Sequence, residues 1–402
     1  MTSIRCILVN YRTPPEMLRR CLASITGSAG ASSAVTIVDN ASGEDTLDDI
    51  GTEFPQVQLI RSNRNLGFAA AVNLALAGTG EEMVLLLNTD AVLRPEALAR
   101  MAAALEAAGR GCAGVAPKMM SSAHPGIIDA AGTVMPRHGA PFNRGIGQCD
   151  LGQYDLSEEV AGICFGAALI RRELFDAAKV GLLYEGYFLY FEDSDWCMRA
   201  TSQGYFFLTA PDAIVDHVHS GVIRNEPLDF KYKLVELNTL KIVIRTFASR
   251  RRVAAIVASR CARLLARTFI RRRYVAANLA TLAEFTRSLP RLLRERRALR
   301  TLRVTGDSHV FRLAEGEDAY FDTVGYKPHR CLESLIATYE RLLGQNEPSA
   351  GKILAALYGL RQEAAGGGPL PQEKYAKLLA DAPPCVKQLL DCAAGESSAA
   401  TP

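Results

Sequence analysis

The sequence has few aromatic residues, no closely spaced cysteine pair and no long apolar run. Aromatic residues make up 7% of its 402 residues. The 10 cysteines include no CxxC pair, which argues against a zinc site or a disulfide framework and favours reduced thiols in the cytoplasm. No apolar run reaches the roughly 18 residues of a membrane-spanning helix, and residues 1–11 lack the long apolar stretch of a signal peptide. We therefore expect a cytoplasmic protein.

Two common phosphate-binding signatures are also missing. No GxGxxG follows the first predicted strand and no GxxxxGK[ST] is present, which argues against a dinucleotide-binding domain and a P-loop nucleotidase. What the first 114 residues do contain is an alternation of apolar runs with Ala-rich helical stretches, typical of an α/β fold with a mostly parallel sheet and helices on both faces. Strands are predicted at 4–10, 35–39, 57–61, 83–88, 205–208 and 213–220, helices at 14–26, 69–77 and 95–108, and loops over 118–154.

Polar residues follow three of the predicted strands. They are Asn10-Tyr11-Arg12, Asp39-Asn40 and Asn88-Thr89-Asp90. Parallel sheets bind ligands at the carboxyl ends of their strands, so these side chains are candidates for one site. Asp90 is suited to hold a divalent cation against a diphosphate, although an Asp in this position is often only a turn residue.

Two further clusters carry chemistry. Glu192, Asp193 and Asp195 follow a run of aromatic residues, where burial and mutual repulsion would raise a carboxyl pKa and favour a general base. A helix N-terminus rich in acids is the alternative explanation. His217 and His219 follow an apolar strand, and residues two apart on a strand point to the same face. Either could therefore reach a metal ion.

Charge is unevenly distributed. Residues 241–303 hold 18 Lys and Arg against 2 Asp and Glu, a net charge of +16 in a chain whose total is +3. A helix over 252–271 places Arg260, Arg263, Arg267 and Arg271 on one stripe. This pattern predicts an anionic membrane surface as partner, with Leu264, Leu265 and Phe269 inserted below the headgroups. No nucleic-acid-binding module accompanies the charge, so nucleic acid is not expected.

Five motifs together resemble a known family. VNYR (9–12), VDNAS (38–42), NRNLGFAAAVN (63–73), LLLNTD (85–90) and FEDSDWCMR (191–199) are similar in order and spacing to family 2 inverting glycosyltransferases. The resemblance is to the rhamnosyltransferase-like and galactofuranosyltransferase-like branch and covers about residues 3–245. It implies a GT-A fold.

The resemblance also implies roles for individual residues. Asp39 would bind the pyrimidine base, and the nucleotide would be lined by Val9, Asn10, Tyr11 and Arg12. Asn65, Gly67 and Asn73 would lie beneath the ribose and diphosphate. Asn88 and Asp90 match the metal motif, in which Asp90 is the carboxylate ligand. Asp193 matches the catalytic base beside Glu192, and His217 matches the second ligand of Mg²⁺ or Mn²⁺, with His219 as the alternative.

The implied activity is transfer of a sugar from a nucleotide-diphosphate donor to a hydroxyl of a glycan or lipid-linked acceptor in cell-surface polysaccharide synthesis. The first donor to consider is dTDP-rhamnose, and galactofuranose, mannose and N-acetylhexosamines stay open. Rival interpretations are a sugar-1-phosphate nucleotidyltransferase and a non-catalytic, membrane-docked nucleotide-sugar-binding protein. We predict a glycosyltransferase domain (1–225), a basic helical region on the inner face of the cytoplasmic membrane (226–305) and a helical C-terminal region (306–402).

Overall fold

The computed structural model describes residues 2–28, 32–43, 47–123, 126–148, 150, 152, 154–218, 228–270 and 274–314. The strands are β1 (Ser3–Asn10), β2 (Ser32–Asn40), β3 (Val57–Ser62), β4 (Met83–Leu87), β5 (Ala91–Leu93), β6 (Cys112–Ser121), β7 (Ile128–Ala130), β8 (Thr133–Val134), β9 (Phe142–Asn143), β10 (Glu159–Val160), β11 (Ala167–Arg171) and β12 (Phe206–His217). The helices are α1 (Pro15–Thr26), α2 (Asp48–Glu53), α3 (Phe68–Leu76), α4 (Ala97–Ala107), α5 (Glu192–Ser202), α6 (Leu228–Thr246), α7 (Arg250–Ile270), α8 (Val275–Leu302) and α9 (Ser308–Leu313), with a 3-10 helix at Arg172–Phe175.

One mixed sheet organises the first 217 residues. Its strand order is β10-β12-β6-β11-β4-β1-β2-β3, with β5 paired to β12 and β7 paired to β6. Six strands of this path, β3, β2, β1, β4, β6 and β12, run in one direction, because β11 is antiparallel to both β4 and β6. The predicted α/β class with a mostly parallel sheet is confirmed, and the carboxyl ends of these six strands share one edge.

Helices cover both faces because successive strand residues point to opposite sides. In β1, Cys6 and Leu8 join a hydrophobic cluster with α1 and α4, whereas Ile7 joins one with α3 and α5. Helix α5 contributes Trp196 to the second cluster, where it packs against Phe175 with ring centroids 5.0 Å apart. The acidic residues at the start of α5 are thus carried by a helix anchored in the core.

Two predictions about the middle of the chain were wrong. Residues 118–154 are not only loops, since β6 continues to Ser121 and β7, β8 and β9 follow. Strands of two or three residues are too short to show a hydrophobic period. The strands predicted at 205–208 and 213–220 are one strand, β12, whose pairing with β6 is irregular between Ala210 and Ile214. That irregularity breaks the pattern in the sequence without ending the strand.

The basic region begins with three helices that pack on one another and on the sheet domain. Helix α6 contributes Ile242 and Val243, and Phe247 follows its last residue, in a cluster that also contains Tyr187 and Met198. The predicted boundary at residue 225 remains a prediction, but buried side chains on both sides of it share this cluster. In the part of the chain that the structure describes, no helix is long and apolar enough to cross a membrane.

The arginine stripe of α7 is present, but two residues that the prediction directed towards lipid are buried. Arg260 is buried and donates to Glu236 of α6 at 2.9 Å. Arg267 donates to the other oxygen of Glu236 at 3.2 Å and stays partly exposed. Leu264, predicted to enter the membrane, is fully buried between α6 and α8. A buried carboxylate requires paired charge, so Arg260 faces inward, whereas Arg271 lies outside the described residues.

We expect Arg260→Ala to destabilise the protein by up to about 3 kcal/mol, because it removes one partner from a buried ion pair. Arg251→Ala on the exposed side of the same helix is the control and should change stability by less than about 0.5 kcal/mol. Urea denaturation measures both. Equal, small effects would mean that the α7 arginines are interchangeable surface charges.

Candidate active site

Polar side chains from β1 and β2 meet at the carboxyl edge of the sheet. Asn10 and Asp39 are directly paired in the strand register and both are buried. Ser42 joins them: its backbone N–H donates to Asp39 Oδ1 at 3.2 Å, and Asn10 Nδ2 donates to Ser42 Oγ at 2.9 Å. Asp39 is thereby held as an acceptor, which suits an N–H of a nucleotide base. The exposed Arg12 lies beside them, with its backbone N–H on the same Ser42 oxygen at 3.0 Å.

The next strand along, β4, ends in a second polar cluster. His217, the last residue of β12, has its Nε2 at 3.1 Å from Asp90 Oδ1 and 3.3 Å from Asn88 Nδ2. Its Nδ1 lies 2.7 Å from Asp129 Oδ2 on β7. Asp90, Asp129 and His217 are each at most 5% exposed. A hydrogen bond links this cluster to β1, since the Thr13 and Thr89 hydroxyl oxygens are 2.7 Å apart.

Both carboxylates act on the same imidazole. Burial lowers the pKa of His217, but the hydrogen bonds to Asp129 and Asp90 outweigh it and raise the pKa to about 10. Asp129 holds the proton of the neutral ring on Nδ1, which leaves the Nε2 lone pair facing Asp90. A lone pair and a carboxylate oxygen at this distance repel unless a positive charge lies between them. The pair therefore requires a proton or a metal cation.

The geometry suits one divalent cation. Mg²⁺ is bound at about 2.0–2.1 Å with octahedral geometry, which places neighbouring ligands roughly 3 Å apart. The separation of Asp90 Oδ1 and His217 Nε2 is 3.1 Å. In the described residues, no group of three or more His, Cys, Asp or Glu side chains forms a complete metal site. Two protein ligands are enough where phosphate oxygens and water supply the others.

Glu192 and Asp193 form the first residues of α5. Glu192 is 7% exposed, and its Oε2 has no hydrogen-bond partner in the described part of the chain. Burial, followed by the adjacent Asp193 charge, raises the pKa of Glu192. Burial also raises the pKa of Asp193, against hydrogen bonds from Ser194, whose N–H donates to Asp193 Oδ1 at 2.6 Å. An elevated pKa is what a general base needs near neutral pH.

The third carboxylate of this cluster has a different environment. Asp195 is fully buried and receives Arg199 Nε at 2.9 Å and Arg245 Nε at 2.8 Å. Burial alone would raise the pKa of Asp195, but the two arginines hold that pKa below its usual value. Asp195 is thus a fixed anion, and both sequence interpretations of the cluster hold: acids begin the helix, and one of them is a candidate base.

Two groups lie near one short segment, residues 164–166. They are the Asp90–His217 pair, here named the metal pair, and the Glu192–Asp193 pair, here named the acidic pair. Burial raises the pKa of the Cys164 thiol, and the charges of Asp193, Asp129 and Glu192 raise it further. Asn88 donates its backbone N–H to Gly166 O at 2.9 Å. The structure therefore brings the predicted base and the predicted metal ligands close to this one segment.

The predicted donor-binding turn at Asn65 and Gly67 is also tied to the acidic helix. Asn65 Oδ1 accepts from Gly67 N and from Asn40 Nδ2, each at 2.9 Å. Gly67 has a φ of +78°, and a Cβ there would lie 2.4 Å from Phe188 O. Only glycine allows this approach, which places the turn against the residues preceding Glu192.

The structure does not support donor binding by Asn73. Its side chain is buried on α3, donates to Leu183 O and Glu185 Oε1 at 3.0 Å, and accepts from Leu183 N at 3.0 Å. Both amide donors are therefore used in holding residues 183–185. Val9 packs against the core with its side chain half-buried, while Tyr11 stacks with the Arg12 guanidinium, 5.1 Å from the ring centroid.

Sequence reasoning missed Asp129. The signal was present, since Asp129 stands alone between apolar residues in the run IIDAA. Its strand is three residues long within a Gly-rich stretch, so it was included among predicted loops. His219, the alternative metal ligand, lies outside the described residues.

Residues 6–178 match the sequence model of Glycosyl transferase family 2. This part of the chain is a Glycosyl transferase family 2 domain, and with the sheet described above the predicted GT-A fold is confirmed. The chain is 29% identical over 227 residues to the uncharacterized protein y4gI of Sinorhizobium fredii, covering 54% of this chain and 25% of that protein. The chain thus spans a quarter of that relative's length.

A second relative has a named activity. The chain is 28% identical over 245 residues to the N-acetylglucosaminyl-diphospho-decaprenol L-rhamnosyltransferase of Mycobacterium tuberculosis, covering 54% of this chain and 76% of that protein. Among solved structures, the mannosyltransferase PcManGT of Pyrobaculum calidifontis, determined with GDP-Man and Mn²⁺, aligns with a TM-score of 0.44 and 17% identity. That alignment covers 74% of this chain and 85% of the other.

We expect Asp129→Ala to weaken Mn²⁺-dependent binding of dTDP about 10–100-fold, because the His217 ring loses the carboxylate that orients it. Asp216→Ala is the matched control: Asp216 neighbours His217 on β12 but pairs with the exposed Arg94. His219→Ala tests the alternative ligand. Titration calorimetry measures all three, and a larger loss in His219→Ala than in Asp129→Ala would assign the metal to His219.

Proposed function

We propose that this Glycosyl transferase family 2 domain is an inverting, metal-dependent transferase that moves a sugar from a nucleoside diphosphate to an acceptor hydroxyl. One observation carries the proposal. The Asp90–His217 pair, supported by Asp129, and the buried Glu192–Asp193 pair lie around the same 164–166 segment at the carboxyl edge of the sheet. A cation site and a base close to each other are the two parts that such a transfer needs.

The donor side uses the strand ends. Asp39 accepts from the base, and the turn at Asn65 and Gly67 lies beneath the diphosphate. Asp90 and His217 would hold Mg²⁺ or Mn²⁺. When bound, that ion would neutralise the negative charge that develops on the departing nucleoside diphosphate.

The acceptor side uses the start of α5. Asp193 accepts the proton of the acceptor hydroxyl while the oxygen attacks the anomeric carbon from the face opposite the leaving group. The charge of Asp193 adds to burial in raising the pKa of Glu192 beside it, so Glu192 is a second proton site. A single displacement with no covalent sugar–enzyme bond inverts the configuration at the anomeric carbon.

We take dTDP-rhamnose as the first donor to test, because the relative from Mycobacterium tuberculosis is named as an L-rhamnosyltransferase. That relative's name also specifies an N-acetylglucosaminyl-diphospho-decaprenol acceptor, which supports a lipid-linked acceptor here. Galactofuranose, mannose and N-acetylhexosamine donors are the next candidates.

Asp193→Asn should lower turnover of dTDP-rhamnose about 10²–10⁴-fold, because the general base is lost while the side-chain volume is kept. Binding of dTDP with Mn²⁺ should stay near wild type. Since burial raises the pKa of Asp193, wild-type turnover should fall as pH falls through that raised value. Release of dTDP measures turnover. Wild-type turnover in this variant would remove Asp193 as the base.

We propose an anionic membrane as the partner of the basic region, through a surface that keeps Phe269 of the sequence prediction but not Leu264. At the end of α7, Phe269 is 85% and Ile270 77% exposed. The start of α8 lies beside them, since Asn278 Nδ2 is 3.5 Å from Thr268 Oγ1, and Leu279 next to it is also exposed. Of the four residues between the helices in the sequence, 271–274, the first three are arginine. Exposed apolar side chains flanked by arginines suit the headgroup region of an anionic, cytoplasmic-face membrane.

The double variant Phe269→Ser/Ile270→Ser should lose most binding to phosphatidylglycerol vesicles, because its apolar contact is removed. Leu156→Ser is the matched control, since Leu156 is 75% exposed on the sheet domain. Binding of the wild type should be weaker to phosphatidylcholine and should fall at high salt, because each basic residue contributes roughly 1 kcal/mol and is screened. Co-sedimentation that is equal for both lipids, or absent, would make the basic region a structural or protein-binding element.

A further inference from the structure

Helix α6 is buried on all sides between Glu236 and Thr246, yet it carries polar residues throughout. Three of them, Asn238, Lys241 and Arg245, recur at helical spacing and therefore share one face. Each is less than 9% exposed. Burying these groups is unfavourable unless each finds a partner, so their contacts show what the face does.

Two of these residues bond to the chain that leads into the acidic pair, and the third bonds to the residue two positions after it. Asn238 Nδ2 donates to Leu189 O at 2.8 Å and Tyr190 O at 3.0 Å. Lys241 Nζ donates to Gly186 O at 2.8 Å. Arg245 pairs with Asp195 inside α5. The α6 face thus holds residues 186–191, here named the 186–191 turn, and the first turn of the helix that follows.

The 186–191 turn needs such support because its backbone is strained. Tyr190 has a φ of +70° and Phe191 a φ of +74°, the left-handed region that bulky residues avoid. Such a conformation is unfavourable for a bulky residue and persists only where surrounding contacts hold it. Phe191 immediately precedes Glu192 and Asp193, so relaxation at this point would redirect both carboxyl groups.

We infer that α6 positions the general base: Asn238 and Lys241 hold the strained 186–191 turn by its backbone carbonyls and so fix the direction of Asp193. This inference rests on the proposed role of Asp193 as the base. Neither residue touches the reacting atoms, and both act through the turn. The first helix of the basic region is then part of the catalytic machinery, not only an extension of it.

Asn238→Ala tests the inference, with Lys241→Met as a second variant that keeps the buried side-chain stem. Thr239→Val is the control, because Thr239 is equally buried on α6 but bonds only to Val235 O of its own helix. Amide hydrogen exchange measures directly how firmly the 186–191 turn is held. The Asp195 N–H donates to Phe191 O at 2.9 Å and the Phe68 N–H donates to Phe188 O at 3.1 Å. Both amides should exchange faster in the two variants and at the wild-type rate in Thr239→Val.

Kinetics separate positioning from general loosening. In the two variants kcat for dTDP-rhamnose should fall roughly 10²-fold, while the affinity for Mn²⁺ and dTDP stays near wild type. Faster exchange with unchanged kcat, or unchanged exchange in both variants, would overturn the inference. If the wild type releases no dTDP from dTDP-rhamnose, the proposed donor is wrong, and the exchange experiment still decides whether α6 holds the turn.

Discussion

The buried carboxylate of Asp195 lies between two guanidinium groups, and much of the site depends on this arrangement. Arg199 comes from the same helix and Arg245 from α6, so the ion group joins two elements that are distant in sequence. Removing either arginine would leave the buried carboxylate with one of its two partners and with unmade hydrogen bonds, which costs more than losing a surface pair. The direction of α5, and with it the start of that helix, is set by this requirement.

The same principle operates twice more. Glu236 is buried and forms ion pairs with Arg260 and Arg267, which joins α6 to α7. His217 is buried between two carboxylates, which joins β12 to β4 and β7. In each case a polar group with little access to water selects its partner from another element, and these contacts assemble the site from separate parts of the chain.

This explains how far the sequence could be interpreted. Strands such as β1 and β4 are continuous apolar runs, and polar residues at the strand ends mark the binding edge, so Asp39 and Asp90 could be selected from local patterns. Asp193 was singled out from its acidic cluster only by the resemblance to the family. Partners could not. Nothing near Arg260 in the sequence indicates that Glu236, on another helix, would turn it away from solvent, and the same holds for Asp129, which lies 88 residues before His217. Local pattern predicts elements, whereas buried pairing depends on the assembled fold.

The contact between Arg245 and Asp195 also has a consequence for synthesis on the ribosome. Asp195 emerges 50 residues before its second arginine, so during that interval its carboxylate has only Arg199 as a partner. The nascent sheet domain can collapse, because its apolar runs are complete once β12 has emerged, but the ion group that fixes the start of α5 stays incomplete until α6 follows. Completion of this ion group is therefore a late event, timed by the arrival of a helix that lies beyond the sheet.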